Sequence, residues 1–335
     1  MLTLTRRAAL GASGAAAVAA VLAACSDTGA DGNAVASGDA SEAYKKAINS
    51  GPLADEDAVA ASTWASAIKK TGKLKTGGTK TSLVFSQENP TTGQLKGFDA
   101  GISQALARYI IGGDDAASLV EVVQATSDTR ESFLENKQVQ AVFATYTITP
   151  ERAEKISFAG PYYSSGQAIL VKADNTEIKS LDDLAGVKVA VQSGSSSGPA
   201  LSEHAPKAEA VQFEDDGKCL AALGSGHVQA YVVDQALLLS HVAKDDSYKI
   251  VGEPFTEDPY GIGLPKDSDA QEFVNSFLTA IYEDGTWEKI WQATIGEITG
   301  GDAPKPPALG SVPGSETAAP ADPSAGAQDS ASPAS

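Results

Sequence analysis

The sequence predicts an α/β protein of two lobes that are joined by two crossover strands. Short runs of apolar and β-branched residues alternate along the chain with segments whose apolar residues recur at helical spacing. A chain of 335 residues is too long for one small domain and suits two lobes. An apolar strand leaves the first lobe near Ala168, and the chain returns to it near Val251. Two such crossings give the arrangement of a hinged clamp.

The composition predicts a folded protein and argues against several partners. Hydrophobic residues make up 42% and charged residues 20% of the chain, so a large core is expected and bulk disorder is not. The formal net charge of −18 argues against nucleic acid or an anionic membrane surface as a partner. No Cys or His cluster has metal-ligand spacing, and we expect neither a metal nor a cofactor. Cys219 lies in a helical pattern and is expected to be a small core residue.

The N-terminus has the features of a secretion signal. Arg6 and Arg7 precede an apolar stretch of small residues that ends with L-A-A-C at 22–25. This tetrapeptide resembles a bacterial lipobox, in which Cys25 is acylated and becomes the first residue of the mature chain. We therefore predict a lipoprotein signal peptide over 1–24. A transmembrane helix is the alternative, and it is disfavoured because the run is short and interrupted by Gly11, Ser13 and Gly14.

Three further segments flank the predicted lobes. Residues 25–43 are rich in Gly, Ala, Ser and Asp, as in a flexible tether. Residues 44–78 have a helical pattern and form an N-terminal extension whose role the sequence leaves open. From 299 to 335, Pro, Ala, Ser and Gly dominate, so this tail is expected to be disordered.

Lobe one is assigned to residues 79–167 and 254–298, and lobe two to residues 168–253. The first strand of lobe one is predicted at Thr81–Ser86, where the sequence reads TSLVFS. An amphipathic helix follows, and Asp99 is interpreted as its N-cap.

The stretch from Ala144 to Gln167 carries the clearest binding chemistry. Thr149 is a good N-cap, Pro150 occupies the first helical position, and Arg152 lies one turn further on. Free N–H groups at such a helix start can hold an anion, and a guanidinium fork suits a carboxylate. The alternative is a capped helix with Arg152 in a surface ion pair.

The motifs of this stretch resemble a known signature. T-I-T-P-E-R at 147–152, F-A-G-P-Y-Y at 158–163 and S-G-Q at 165–167 resemble the amino-acid-binding proteins that feed ABC importers. The resemblance spans about Leu83 to Gly296 and implies the bilobal type II fold of periplasmic binding proteins. It implies a non-catalytic substrate-binding protein that closes on an amino acid and delivers it to an ABC permease. We expect a monomer that is lipid-anchored at the outer face of the cytoplasmic membrane.

The resemblance also implies which residues hold the ligand. The α-carboxylate would be bound by residues of both lobes, namely Thr145, Thr147, Arg152, Ser195 and Ser196. Asp234 ends a V-x-A-x-V-x-D strand and would bind the α-ammonium group, which needs a countercharge once it is desolvated. Asp234 is also a candidate N-cap for the next helix.

The choice of ligand depends on residues around Ser127. Relatives often carry an aromatic residue there that stacks on the ligand, and its absence suits a polar or charged side chain. Arg130 is a candidate partner for a side-chain carboxylate, although a solvated arginine on a helix face is the favoured interpretation. The motifs V-F-A-T-Y-T-I-T and F-A-G-P-Y-Y-S-S-G-Q resemble the glutamate-binding branch most. Glutamate is therefore the first choice, followed by glutamine and aspartate.

Three other functions are alternatives. Gly194–Gly198 matches the G-x-S-x-G nucleophile elbow with Ser196 at its centre, and Asp234 and His241 follow in the order of a hydrolase triad. The sequence has no Gly-rich oxyanion loop upstream, which disfavours a serine hydrolase. A dehydratase on the same fold is also disfavoured, because the cleft motifs show no additional acid or histidine. A lipoprotein that reports ligand occupancy to a signalling partner would use the same binding residues.

Overall fold

The computed structural model describes residues 32–316, with side chains described from residue 41 onward. The predicted signal peptide over 1–24 and the predicted lipidation site Cys25 lie outside these residues. The first described helix begins at Gly32, so the prediction of a flexible tether over 25–43 is wrong from Gly32 onward. Alanine is frequent in this stretch, and it has the highest intrinsic helix propensity.

Helices and strands alternate along the described chain. No helix within residues 32–316 has both the length and the apolar character needed to cross a bilayer. The helices are α1 (Gly32–Asn49), α2 (Glu56–Ala61), α3 (Thr63–Thr71), α4 (Phe98–Ile111), α5 (Arg130–Glu135), α6 (Pro150–Ala153), α7 (Ser197–His204), α8 (Asp216–Gly224), α9 (Gln235–Lys244), α10 (Ala270–Glu283), α11 (Thr286–Gln292) and α12 (Ile295–Thr299). The strands are β1 (Leu74–Gly78), β2 (Thr81–Ser82), β3 (Ser86–Glu88), β4 (Leu95–Lys96), β5 (Val120–Gln124), β6 (Ala141–Val142), β7 (Ser157–Ser165), β8 (Gln167–Lys172), β9 (Lys188–Gln192), β10 (Glu209–Phe213), β11 (Ala230–Asp234), β12 (Tyr248–Val251) and β13 (Asp258–Leu264).

Lobe one is built on a sheet with the strand order β5-β1-β6-β13-β7. Strands β5, β1 and β6 are parallel, whereas β13 is antiparallel to both of its neighbours. Apolar side chains form two separate clusters, because helices cover such a sheet on both faces. The larger cluster contains Phe98, Phe277 and Trp287, and the smaller one contains Tyr146 and Phe158.

Lobe two is built on a second sheet, with the order β10-β9-β11-β8-β12. Strands β10, β9 and β11 are parallel, and β8 is antiparallel to both of its neighbours. Successive residues of β8 belong to opposite core clusters, as the alternation of a strand requires. Cys219 is fully buried in one cluster, which confirms the prediction of a core thiol. Burial raises the pKa of this thiol to about 12.

Two extended crossings connect the lobes. The first runs from β7 into β8, and the second leads from β12 to β13. Gln167 N donates to Thr256 Oγ1 at 2.7 Å, and Gln167 Nε2 donates to Asp258 Oδ2 at 2.9 Å. The two crossings are therefore hydrogen-bonded to each other beside the cleft.

The N-terminal helices belong to the packing of lobe one. Tyr44 and Ile48 of α1 and Ile68 of α3 are buried in its larger core cluster. Tyr44 Oη donates to Gln104 Oε1 of α4 at 2.8 Å. The predicted boundary of the extension, 44–78, is wrong at its end, because its last residues form β1 in the lobe-one sheet.

The predicted first strand at Thr81–Ser86 is also wrong. Its ends lie in the short strands β2 and β3, which form a separate three-stranded sheet with β4, and a turn occupies its middle. The true first strand reads L-K-T-G-G and gives little β signal, since glycine is depleted in strands. A Cβ atom at Gly78 would lie 2.7 Å from the backbone oxygen of Phe143, so close approach of β1 and β6 requires the glycine.

Residues 300–316 contain no helix or strand, yet they pack on lobe one. Gly310 N donates to Gly160 O at 2.8 Å, and Gln271 Nε2 donates to Glu316 O at 3.1 Å. The prediction of disorder over 299–335 is therefore wrong for this part, and 317–335 lie outside the described residues. The amino-acid composition of this segment gives no sign that it packs on the lobe. Val312, for example, contacts the smaller core cluster of lobe one.

Gly97 joins β4 to α4 and leaves no room for a side chain. Its φ is +145°, and a Cβ atom there would lie 2.3 Å from the carbonyl carbon of Phe85. We expect Gly97→Ala to lower the free energy of unfolding by about 2–4 kcal/mol in urea denaturation. Gly113→Ala is the matched control, because Gly113 has φ +95° but no atom within 4 Å of the added Cβ. Equal losses in both variants would contradict a role for the steric overlap.

Candidate functional site

A cleft between the lobes lies at the carboxyl ends of the parallel strands. Lobe one lines it with residues that follow β1, β5 and β6, and lobe two with residues that follow β9, β10 and β11. Ligands of open α/β sheets bind at such strand ends. Among the residues predicted to bind ligand, those that line the cleft are Arg130, Thr145, Thr147, Ser195, Ser196 and Asp234. Arg152 is not among the lining residues, but it bonds to the backbone of Thr147, which lines the cleft, and of Gly194, which precedes the lining residue Ser195.

The central segment has the local structure that its sequence predicts. Thr149 is the N-cap of α6, with its Oγ1 accepting a hydrogen bond from Arg152 N at 3.3 Å, and Pro150 is the first helical residue. Just before this helix, Thr145 has φ +43°, an uncommon conformation for a β-branched residue. The chain therefore bends sharply at the point where Thr145 and Thr147 line the cleft.

Arg130 is a buried cation rather than a solvated one. Only 4% of the residue is exposed, so the favoured interpretation of a helix-face arginine is wrong. Its guanidinium carbon lies 3.9 Å from the centroid of the Tyr146 ring, and Nη1 donates to Ala144 O at 3.1 Å. Nε has no hydrogen-bond partner among the described residues. Burial, and then the charge of Arg152, lower the pKa of Arg130 to about 9.

Arg152 is buried as well and is not part of a surface ion pair. It is 9% exposed, and its Nη1 donates to Thr147 O at 2.7 Å. Its Nη2 donates across the cleft to Gly194 O of lobe two at 3.1 Å. Two backbone carbonyls thus engage the guanidinium, and its other N–H groups are further donors. Arg152 fixes the loop of Thr147 to the turn after β9.

The serine turn after β9 meets the threonines of lobe one. Ser196 Oγ lies 3.2 Å from Thr147 Oγ1, whereas Ser195 Oγ donates to Gln192 O at 2.7 Å within its own turn. His241 Nε2 lies 3.0 Å from Asp216 Oδ1, so His241 is bonded to Asp216 and not to Ser196. The hydrogen-bond chain of a serine-hydrolase triad is therefore not formed.

Asp234 ends β11 as a buried anion. It is 6% exposed and occupies the N-cap position of α9, as the sequence allowed, but its side chain makes no capping hydrogen bond. Within the described chain, Oδ1 has no hydrogen-bond partner. Burial raises the pKa of Asp234 to about 7, and the nearby carboxylate of Asp258 adds to the rise. Such a group gains most from a cation that enters the cleft.

Asp99 is a positioning residue whose role the sequence did not reveal. The N-cap position of α4 belongs to Gly97, so the prediction of Asp99 as N-cap is wrong. Its Oδ2 accepts from Thr145 N at 2.8 Å, and its Oδ1 accepts from Tyr162 Oη at 2.6 Å. Burial raises the pKa of Asp99 to about 6. Asp99 holds Thr145 in its bent conformation, and both partners are distant in sequence.

The acidic end of the cleft was missed in the sequence. Glu214, Asp215 and Asp216 follow β10 directly and line the cleft with Gln192 and His241. Three acids after a strand are a usable signal, but the start of α8, which Asp215 caps, explains acids at these positions equally well. Within residues 32–316, no group of His, Cys, Asp and Glu side chains could hold a metal ion.

Comparisons with known proteins agree with this geometry. Residues 74–297 match the family described as bacterial extracellular solute-binding proteins, family 3. The ABC transporter glutamine-binding protein GlnH of Bacillus subtilis (strain 168) is 35% identical over 233 residues, covering 69% of this chain and 84% of the relative. The glutamate-binding protein GluB of Corynebacterium efficiens is 30% identical over 211 residues, covering 59% of this chain and 72% of the relative.

A solved structure extends the comparison to the fold. An ancestral arginine-binding protein bound to glutamine has a TM-score of 0.60 and 34% identity, covering 67% of this chain and 98% of that chain. The predicted type II fold of periplasmic binding proteins is confirmed. The prediction of a non-catalytic protein is also confirmed, because the relatives are solute-binding proteins and not enzymes.

The raised pKa of Asp234 predicts how stability depends on pH. Asp234 stays protonated to a higher pH in the folded state than in the unfolded chain. The free energy of unfolding should therefore fall as pH rises from about 4 to 7. The raised pKa of Asp234 contributes on the order of 4 kcal/mol to this change in stability. Asp234→Asn should remove this part of the slope in urea titrations of ligand-free protein, whereas the exposed control Asp246→Asn should keep it. The same slope in Asp234→Asn and wild type would contradict the assignment.

Proposed function

Because the chain belongs to family 3 of the bacterial extracellular solute-binding proteins, we propose that it captures a polar amino acid between its lobes and delivers it to an ABC permease. Relatives of this chain bind amino acids for ABC transporters, which supports the class of ligand and of partner. We further propose that the chain is a monomer that Cys25 anchors as a lipoprotein on the outer face of the membrane.

One observation carries the proposal of an amino-acid ligand. Arg130 and Asp234 are buried, oppositely charged and in the same cleft, and each has a polar atom without a partner among the described residues. Leaving buried charges unpaired costs several kcal/mol per ion. A zwitterion offers a carboxylate to the guanidinium and an ammonium to the carboxylate, so it satisfies both groups at once.

The two ends of the ligand divide between the lobes. On lobe one, the α-carboxylate meets the hydroxyl groups and amides at Thr145 and Thr147 and the guanidinium groups of Arg130 and Arg152. Closure brings the serine turn to the same carboxylate. The distance of 3.2 Å between Thr147 Oγ1 and Ser196 Oγ supports this, because a carboxylate oxygen near both hydroxyls would be held from both lobes.

The α-ammonium group belongs to lobe two, where Asp234 supplies the countercharge. Ionised Asp234 cannot donate a hydrogen bond, and an ammonium group has three N–H donors and no acceptor. Binding therefore neutralises the buried carboxylate and stabilises the closed arrangement.

The side chain of the ligand is a separate question. The motifs resemble those of glutamate-binding proteins, while the glutamine-binding relative is 35% identical and the glutamate-binding relative 30% identical. We propose glutamine or glutamate, and aspartate as a shorter variant. The acidic end of the cleft decides between an amide and a carboxylate.

A thermal-unfolding assay against the twenty amino acids tests the proposal. A ligand at a hundredfold excess over its Kd should stabilise the chain by about 2.7 kcal/mol and raise its Tm. Arg130→Met and Arg152→Met should lose the response, since breaking a buried ion pair costs about 3–5 kcal/mol. Arg108→Met is the matched control, because Arg108 donates to Gly51 O and Gly113 O on the surface of lobe one.

Two outcomes would count against this assignment. If no amino acid raises the Tm of wild type and Arg108→Met, the chain is not an amino-acid receptor. If a ligand raises the Tm of both cleft variants as much as that of wild type, the carboxylate is bound elsewhere.

The pKa of Asp234 also predicts a pH dependence of ligand affinity. Without ligand, this pKa is about 7, and an ammonium partner must lower it. Affinity measured by isothermal titration calorimetry should therefore fall below pH 7, with a slope that approaches about tenfold per pH unit. An affinity independent of pH between 5 and 8 would show that Asp234 does not pair with the ligand's ammonium group.

A further inference from the structure

The acidic end of the cleft contains a connected set of hydrogen bonds in lobe two. Tyr231 Oη lies 2.9 Å from Asp216 Oδ1 and 2.8 Å from Gln192 Nε2. His241 Nε2 lies 3.0 Å from the same Asp216 oxygen. Gln192, Asp216 and His241 line the cleft, and Tyr231 is buried behind them. We call these three lining residues the lobe-two wall.

The proton positions in this set follow from chemistry. An ionised carboxylate only accepts, so both Tyr231 O–H and His241 Nε2–H donate to Asp216. The Tyr231 hydroxyl has only one proton to donate, so in its contact with Gln192 its oxygen accepts a hydrogen bond from the amide nitrogen Nε2. We assign His241 the tautomer that donates through Nε2, which leaves Nδ1 as an acceptor.

The lobe-two wall therefore offers mainly acceptors to the cleft. Among residues 41–316, no hydrogen bond reaches Gln192 Oε1, His241 Nδ1 or Asp216 Oδ2, and all three residues line the cleft. Glu214 and Asp215 extend the same negative region and are paired with Lys218, which does not line the cleft. A carboxylate placed here would meet like charge and few donors.

We propose that the lobe-two wall binds the end of the ligand's side chain and selects a group that donates hydrogen bonds, an amide or a cation, over a carboxylate. This inference rests on the proposed amino-acid ligand. The unpartnered atoms of Arg130 and Asp234 in the same cavity supply the independent sign of a ligand, since both residues are more than nine-tenths buried. Under the proposed function, Arg130 holds the α-carboxylate and Asp234 holds the α-ammonium group. The lobe-two wall is then left to bind the side chain of the ligand.

The strand order gives the distance that the ligand must span. Asp216 follows β10 and Asp234 ends β11, with β9 between these strands. Two strand spacings amount to about 10 Å, so a ligand that contacts both residues needs hydrogen-bond donors at two separated ends. An α-ammonium group together with a side-chain amide or guanidinium supplies such donors, whereas a side-chain carboxylate does not. The inference thus favours glutamine over glutamate, the first choice from the motifs.

Isothermal titration calorimetry with glutamine, glutamate and arginine tests the inference on the chain from residue 26 onward. Glutamine or arginine should bind at least about tenfold tighter than glutamate, because a carboxylate leaves the acceptors unsatisfied. Asp216→Asn keeps an acceptor for Tyr231 and His241 but removes the charge, so it should reduce this ratio. Asp246→Asn, an exposed position on lobe two, is the matched control and should keep the ratio.

The outcomes separate this inference from the proposed function. If glutamate binds most tightly, the inference is overturned and the amino-acid receptor stands. If the ratio is the same in Asp216→Asn and wild type, the lobe-two wall is not the side-chain site. If none of the twenty amino acids binds, the proposed function fails and the inference fails with it. Tightest binding of arginine supports the inference and identifies the donor as a cation.

Discussion

Two opposite charges are held in one cleft without pairing to each other. Arg130 and Asp234 are almost fully buried, and desolvation shifts the pKa of each toward its neutral form. A fold can retain such groups only where the surrounding packing fixes them, since each would otherwise rotate toward water. The Tyr146 ring supports the guanidinium of Arg130 at 3.9 Å, and that of Arg152 lies 5.1 Å from the same ring. Under the proposed function, a zwitterion in the cleft would restore the stability lost at these positions.

Long-range contacts position the groups that are proposed to meet the ligand. Asp99, in the first turn of α4, accepts the N–H of Thr145, and Arg152 donates to the carbonyl of Thr147. The short loop between β6 and α6 is thus fixed at both of its cleft-facing threonines. On lobe two, the hydrogen bonds from Gln192 and His241 converge on Tyr231 and Asp216. Both sides of the cleft are preorganised, which lowers the entropic cost of ordering these side chains on binding.

Local chemistry in the sequence was sufficient for part of the site. The cap at Thr149 and the strand ending in Asp234 depend on neighbouring residues, and both could be predicted. Strand β1 could not, because L-K-T-G-G becomes a strand only through pairing with β5 and β6. The role of Asp99 was hidden for the same reason, since its partners Thr145 and Tyr162 lie 46 and 63 residues away. The burial of Arg130 likewise depends on Tyr146, a residue of another element.

The contacts across the cleft have a consequence for how the lobes move. Thr147 with Ser196 and Arg152 with Gly194 are contacts of the protein with itself, so part of the free energy of closure does not come from the solute. A ligand shifts an equilibrium between open and closed populations only by its differential affinity for the two states. The stronger these bridges are, the larger the closed population before any solute arrives, and the smaller the change that occupancy can signal to a membrane partner.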